Sequence, residues 1–222
     1  MLVAPNIIAI DGPVATGKSV VGQLLAQELD YQFLDTGTMY RAIAWLSFKK
    51  GLEPEDHEAL EALARTAKID FSPDSRTVFI NDKTVPLMNE RSQIDKIVSI
   101  ISMNPGVRKA MVENQRTIAS TGSIVIVGRD IGTVVLPNAP LKLYFEAPLK
   151  ERASRRYQEM IKQGHNISLF QVIDEISKRD KLDSERKHSP MRPATDAHVI
   201  NTQGLTVNKV VSLIMNRIRL MA

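Results

Sequence analysis

The chain contains no cysteine among its 222 residues. That excludes disulfides, thiolate-bound metals and thiol nucleophiles together, and it accords with a reducing compartment. Aromatic residues are only 5% of the chain and do not interleave with the basic ones, which argues against a base-stacking platform for nucleic acid. No stretch approaches the roughly 18 consecutive apolar residues of a membrane span. Residues 1–12, MLVAPNIIAIDG, have neither the basic segment nor the apolar stretch of a secretory signal. A cytoplasmic chain without membrane association is therefore expected. The four histidines, His57, His165, His188 and His198, are scattered without paired spacing, which disfavours a histidine metal site. Neither an internal repeat nor a low-complexity linker interrupts the chain.

What is present is an alternation of short apolar runs and helical patterns. Residues 6–10 form an apolar run ended by Asp-Gly-Pro, as expected of a buried parallel strand. Val21, Leu24, Leu25 and Leu29 then recur at helical spacing. Further strands are predicted over 31–34, 123–127, 141–145 and 197–201. Helices are predicted from Thr38 toward Lys50 with a stop at Gly51, and over 53–66, 94–102, 107–119, 150–164, 169–183 and 206–221. Residues 68–85 break the alternation. Their period-two pattern, with turn signals at Pro73–Ser75 and Asn81–Asp82, predicts a small antiparallel β element. Strands alternating with helices predict an α/β protein with a parallel sheet covered on both faces.

The most specific motif follows the first strand. Gly12, Pro13, Val14, Ala15, Thr16, Gly17, Lys18 and Ser19 satisfy G-x-x-x-x-G-K-[ST], the phosphate loop. Its glycines let backbone N–H groups curl around phosphate oxygens, and the helix that follows points its positive end at the same anion. Lys18 supplies a mobile charge to the β- and γ-phosphates, and the Ser19 hydroxyl is a Mg²⁺ ligand. A strand before and a helix after provide the context the motif requires. The chain lacks the Asn-Lys-x-Asp segment with which GTPases read their base.

Charge adds a second signal. The formal net charge is +4, and residues 150–192 hold 11 Lys or Arg against 7 Asp or Glu, so the whole excess lies in that segment. A nucleic-acid surface, a solvated helical face with i, i+4 ion pairs, and an arginine lid over phosphates are all compatible with it. Arg152, Arg155 and Arg156 share a helix face, as do Arg179, Asp183 and Arg186 if the helix persists that far. Arg41 and Arg129 follow the second and third predicted strands, at the carboxyl edge where open α/β sheets bind ligands. Two guanidiniums there suit a dianionic monophosphate. Asp130 beside Arg129 is a carboxylate able to accept from an amino group of a base. Trp45 and the methionines fall at helical positions and read as packing.

Four segments together resemble the bacterial cytidylate kinases: IDGPVATGKS at 10–19, LDTGTMYRA at 34–42, GRDIGTVVLPNA at 128–139 and KRDKLDSERKHSP at 178–190. The resemblance covers nearly the whole chain, and GRDIGT and RDxxDSxR are its most specific parts. It implies a P-loop kinase fold, a five-stranded parallel sheet flanked by helices. The core would comprise residues 1–36, 103–156 and 191–222. A nucleoside-monophosphate-binding region would span 37–102, with its β insert near 68–85, and a helical lid would span 157–190. The implied reaction is transfer of the γ-phosphoryl of ATP to CMP or dCMP, with Mg²⁺. The resemblance places the donor nucleotide on residues 12–19, Val20, Arg152 and Arg156. It places the acceptor on Thr36, Tyr40, Arg41, Ser99, Arg108, Arg129, Asp130, Arg179, Asp183 and Arg186, with Ser99, Arg108 and Asp130 reading cytosine and Asp183 the ribose. Lys18, Arg129, Arg179 and Arg186 would stabilise the charge of transfer.

The sequence departs from the family pattern at two positions. Val127 stands where an acid usually precedes GRD, which leaves Ser19 and Asp35 as the metal candidates, and Leu182 replaces a basic residue of some relatives. Kinases for another small acceptor, UMP or a shikimate-like acid, share most of these features. An ATP-switched nucleic-acid-binding module is the reading from another class. The expected partners are nucleotides alone, with no nucleic acid, and the expected state is a monomer.

Overall fold

A computed structural model describes residues 5–72, 77–86 and 91–221. In chain order the elements are β1 (Ile7–Asp11), α1 (Lys18–Leu29), β2 (Gln32–Asp35), α2 (Thr36–Lys49), α3 (His57–Thr66), β3 (Ile69–Phe71), β4 (Val78–Ile80), β5 (Lys83–Thr84) and α4 (Arg91–Ile101). They continue with α5 (Pro105–Ala119), β6 (Ile124–Val127), a π-helical turn (Ile131–Val135), β7 (Leu141–Glu146), α6 (Leu149–Lys162), α7 (Leu169–Glu185), β8 (His198–Asn201) and α8 (Val207–Met221). The chain divides into two compact units, 1–32 with 122–222, and 33–121.

The large sheet has the strand order β2-β6-β1-β7-β8, with β1 parallel to β6 and β7, and β7 parallel to β8. Helices flank it, as the alternating pattern predicts. The four residues of β6, IVIV, are all buried, as a parallel strand covered on both faces requires. Ile8, Ile10 and Phe145 are fully buried, each contributing about 2 kcal/mol through removal of apolar surface from water. At the sheet's edge β8 alternates half-buried and exposed residues.

Caps explain where helix boundaries differ from the sequence pattern. α2 begins at Thr36 rather than Thr38 because the Asp35 carboxylate accepts the Gly37 N–H at 2.9 Å. α3 begins at His57, capped by Asp56, rather than at residue 53. The break predicted between residues 102 and 107 is present, and the helix after it starts at Pro105 rather than Val107. The Asn104 side chain accepts the N–H groups of Gly106 and Val107, and Pro105 occupies the first helical position. α7 opens with a reciprocal Ser168–Gln171 capping box and ends at Glu185, so Arg186 lies where the chain leaves the helix.

In the second unit β3, β4 and β5 form an antiparallel sheet in that order. This is the β insert predicted over 68–85; its Asn81–Asp82 turn has both residues at positive φ, while the Pro73–Ser75 turn lies outside the described residues. Met39, Ile43, Leu60, Ile80, Ile94, Ile101 and Met111 fill the unit's core.

Candidate active site

β1 ends on Asp11 and the chain turns through Gly12 at φ 139°. A Cβ there would lie 2.2 Å from the Phe145 carbonyl oxygen of β7, so only glycine fits. Ala15 (φ 60°) and Gly17 (φ 91°) also adopt left-handed backbone. For Ala15 that conformation costs about 1 kcal/mol, a strain that binding loops tolerate when their surroundings fix it. α1 starts at Lys18, so the positive end of its helix dipole points at the loop. Lys18 Nζ folds back to donate to the Pro13 carbonyl at 2.6 Å and lies 3.3 Å from the Thr16 hydroxyl. Ser19 and Val20 stand exposed beside it. The Lys18 ammonium and the start of α1 thus place positive charge at one loop, as an anion site requires.

The loop is held from behind by residues that follow β7 and β8. Thr202, buried, lies with its hydroxyl 3.2 Å from both the Thr16 and Glu146 carbonyls, and Arg155 Nη2 donates to the Thr202 carbonyl at 2.6 Å. Arg152 donates from Nε to the Ala147 carbonyl at 2.9 Å and from Nη1 to the Val14 carbonyl at 3.2 Å. Arg156, on the same helix, pairs with Glu159 at 3.0 Å. Of the basic face predicted on α6, Arg152 and Arg155 thus bind backbone around the phosphate loop.

β6 lies beside β1 in register Ile10↔Val127, and the Gly128 N–H donates to the Ile10 carbonyl at 2.9 Å. The GRD segment therefore leaves the sheet on the same edge as the phosphate loop, the edge where open α/β sheets bind ligands. There four charged side chains interlock. Arg129 Nε donates to Asp183 Oδ2 at 3.0 Å, Arg186 Nη2 lies 3.3 Å from Asp130 Oδ1, and Arg186 Nη1 lies 3.9 Å from Asp183 Oδ1. Arg186 also donates to the Ser189 carbonyl. Arg179 is half-buried on α7, one turn before Asp183. Sequence spacing put Arg179, Asp183 and Arg186 on one helix face; the fold brings Asp183 and Arg186 together with GRD.

Beneath this cluster lies a carboxylate the sequence reading passed over. Asp11 is buried and accepts the N–H groups of Ile131 at 2.8 Å and Gly132 at 2.7 Å, fixing the π-turn that follows Asp130. Such wide turns recur at functional sites. A Cβ on Gly132 would lie 3.4 Å from Asp11 Oδ2, an ordinary contact, and 3.1 Å from Lys142 Cδ, which would have to shift by a few tenths of an ångström. Burial pushes the Asp11 pKa up from 3.8 to about 6. The Gly132 and Ile131 N–H groups pull it back, the Asp130 charge raises it, and Lys18 lowers it. A charged residue ending the apolar run IIAID was the available signal.

In the second unit Asp35 caps α2, and Thr36 and Tyr40 are buried on that helix. The Arg41 guanidinium lies against Gly37, where a Cβ would come within 3.4 Å of it. Arg108 is buried, stacks over the Tyr40 ring at 5.6 Å and donates to the Ser102 carbonyl at 3.2 Å. Ser99 is half-buried on α4, and its carbonyl accepts the Ser102 hydroxyl at 3.0 Å. The structure thus brings together Tyr40 and Arg108 within this unit, and Arg129, Asp130, Asp183 and Arg186 in the other.

A family model for cytidylate kinase matches residues 8–220. The chain belongs to the cytidylate kinase family. It is 43% identical over 222 residues to the cytidylate kinase of Roseiflexus castenholzii, covering 97% of this chain and 94% of that one. It is 42% identical over 211 residues to the cytidylate kinase of Bacillus licheniformis, covering 94% and 93%. The shikimate kinase of Acinetobacter baumannii, solved in complex with shikimate, superposes with a TM-score of 0.50 at 15% identity over 98% of this chain and 94% of that one. At that identity the likeness shows the P-loop kinase fold alone. No described helix of this cytidylate kinase family member is long and apolar enough to cross a membrane.

The donor set also bears on Mg²⁺. Among the described residues no group of three His, Asp or Glu side chains could hold a metal, and Val127 is buried and apolar. At a phosphate loop Mg²⁺ needs only one or two protein ligands, the rest being phosphate oxygens and water. The exposed Ser19 hydroxyl fits that requirement. The Asp35 carboxylate accepts the Gly37 N–H.

Proposed function

We propose that this protein is a (d)CMP kinase, transferring the γ-phosphoryl of ATP to the phosphate of CMP or dCMP. The observation that carries the reading is the adjacency of two loops on neighbouring parallel strands. One is a phosphate loop with its lysine. The other is Arg129–Asp130, interlocked with Asp183 and Arg186. The N–H groups of residues 15–19 and the Lys18 ammonium hold the donor's β- and γ-phosphates. Ser19 and, by its place at the end of β2, Asp35 are the protein groups available to Mg²⁺, which when bound neutralises phosphate charge.

Arg129, Arg179 and Arg186 take the acceptor phosphate and the equatorial oxygens of the moving phosphoryl group. An acceptor phosphate oxygen attacks the γ-phosphorus, a P–O bond forms to it, the bond to the bridging oxygen breaks, and ADP leaves with that electron pair. No covalent enzyme intermediate is required, because positioning and charge stabilisation carry such transfers. Asp130 accepts from the cytosine amino group and Asp183 from a ribose hydroxyl. Arg41 contributes to the acceptor phosphate. Thr36 and Tyr40 line the nucleotide, and Ser99 and Arg108 read the base. Arg152 and Arg156 serve the donor side, Arg152 through the loop backbone it already holds. Substrates are nucleotides alone, and the protein acts as a cytoplasmic monomer.

The test is a coupled ADP-release assay with CMP, dCMP, UMP, AMP and shikimate as acceptors. Turnover with CMP or dCMP at least tenfold above the others is expected. Preferential turnover of another acceptor, or none with CMP, refutes the assignment.

A further inference from the structure

α7 carries its inward residues along one stripe. Val172 and Ile176 are buried, and with Ala153 of α6 they form a small core against which Val14 and Ala15 of the phosphate loop pack. One turn further the stripe becomes acidic, at Asp180 and then at Asp183. Asp180 reaches the phosphate loop. Its Oδ1 accepts the Val14 N–H at 3.4 Å, and its Oδ2 accepts from Arg152 Nη1 at 2.5 Å, the same nitrogen that donates to the Val14 carbonyl. Val14 is thereby held at its N–H, its carbonyl and its side chain, and all three contacts lead to α6 and α7. Asp183 reaches the other loop, through Arg129 at 3.0 Å. The two carboxylates are three residues apart, about 4.5 Å along the helix axis. One rigid helix therefore touches the donor loop and the acceptor loop with adjacent side chains.

We propose that Asp180 is a positioning residue that fastens α7 to the phosphate loop, so that ordering of that loop by ATP is carried through α7 to Asp183 and Arg129. The inference rests on reading the GRD loop as the acceptor site. When phosphates fix the loop, Val14 occupies one position, the Asp180–Arg152–Val14 contact is complete, and α7 is seated. Seating presents Asp183 and Arg129 to the acceptor in their working geometry. ATP then raises the affinity for CMP, and CMP raises the affinity for ATP by the same factor, since such coupling is reciprocal.

The experiment is calorimetric titration of CMP into the protein, alone and with saturating Mg²⁺ and a non-hydrolysable ATP analogue. In the unmodified protein the analogue tightens CMP binding by about fivefold or more. In Asp180→Asn, which keeps the side chain's size, that factor falls toward one. Hydrogen exchange of the ligand-free proteins is the second reading: peptides covering 169–185 exchange faster in Asp180→Asn, while those covering β1 and β6 do not change. An unchanged coupling factor with unchanged exchange across α7 overturns the proposal, as does a uniform rise in exchange over the whole chain, which marks general destabilisation. If the unmodified protein binds the ATP analogue but not CMP, the acceptor reading fails, and exchange across α7 alone decides the role of Asp180.

Discussion

Replacing Asp11 by asparagine isolates a contest between two effects at the base of the site. Burial disfavours the Asp11 carboxylate, while the N–H groups of Gly132 and Ile131, at 2.7 and 2.8 Å, favour it. Burial prevails, raising the pKa from 3.8 to about 6. An acid that holds its proton more tightly when folded releases it on unfolding. Its contribution to stability is therefore greatest at low pH and declines as pH rises from 3.8 toward 6. The complete displacement corresponds to about 3 kcal/mol, of which about 2 kcal/mol falls between pH 4.5 and 7. The amide of the Asp11→Asn variant has no proton to release. It keeps one acceptor for the turn and sets an N–H against the other donor, so it is destabilising at every pH. Urea melts of both proteins, taken at half-unit steps from pH 4.5 to 7.5, give the difference directly. The advantage of the unmodified protein over Asp11→Asn should shrink by about 2 kcal/mol across that range. A constant difference would mean that the two N–H groups cancel burial, and one growing with pH that they outweigh it; either way the reasoning would fail.

Lys18→Ala should lower kcat by about 10²- to 10³-fold with the circular dichroism spectrum and melting temperature retained, because the ammonium acts on the phosphates; near-normal turnover refutes the loop's assignment. Gly12→Ala should lose about 3 kcal/mol or more in chemical denaturation, since its Cβ meets the Phe145 backbone oxygen at 2.2 Å on a left-handed backbone. A stability within about 0.5 kcal/mol of the parent would show that the strand yields. Asp130→Ala should raise the KM for CMP about tenfold or more and that for ATP less than about threefold, as loss of a charged hydrogen bond to the acceptor requires; equal effects on both substrates count against Asp130 reading the base.

The parts of the molecule that depend on near neighbours in sequence were legible. The phosphate loop needs eight consecutive residues, and the strand IVIV declares burial on both faces by having no polar member. The π-turn at Ile131–Val135 was not legible, because it is imposed by a carboxylate 120 residues earlier in the chain. The Arg129–Asp183 pair, 54 residues apart, is likewise a product of the sheet and α7. Helical spacing suggested that Arg186 continues the face of Arg179 and Asp183. Instead α7 stops at Glu185, and the Arg186 guanidinium turns back to the Ser189 carbonyl and Asp130. Thr202 gave no local sign at all, since a threonine after an edge strand acquires meaning only from the loop it supports.

The interlocked charges suggest why a nucleotide is the fitting acceptor under the proposed roles. Arg129 and Arg186 are each paired with a carboxylate in a partly buried setting, where losing one partner leaves the other charge uncompensated. A bare phosphate could draw the arginines away only by stranding Asp130 and Asp183. CMP brings an anion for the guanidiniums and, on the same molecule, hydrogen-bond donors for the carboxylates: a ribose hydroxyl for Asp183 and the cytosine amine for Asp130. Each ion pair is exchanged for two satisfied groups, and no charge is left alone. UMP offers a carbonyl oxygen where CMP offers the amine, so Asp130 would face an acceptor with an acceptor. Discrimination then comes from the unsatisfied pairing in the wrong complex as much as from the bond in the right one.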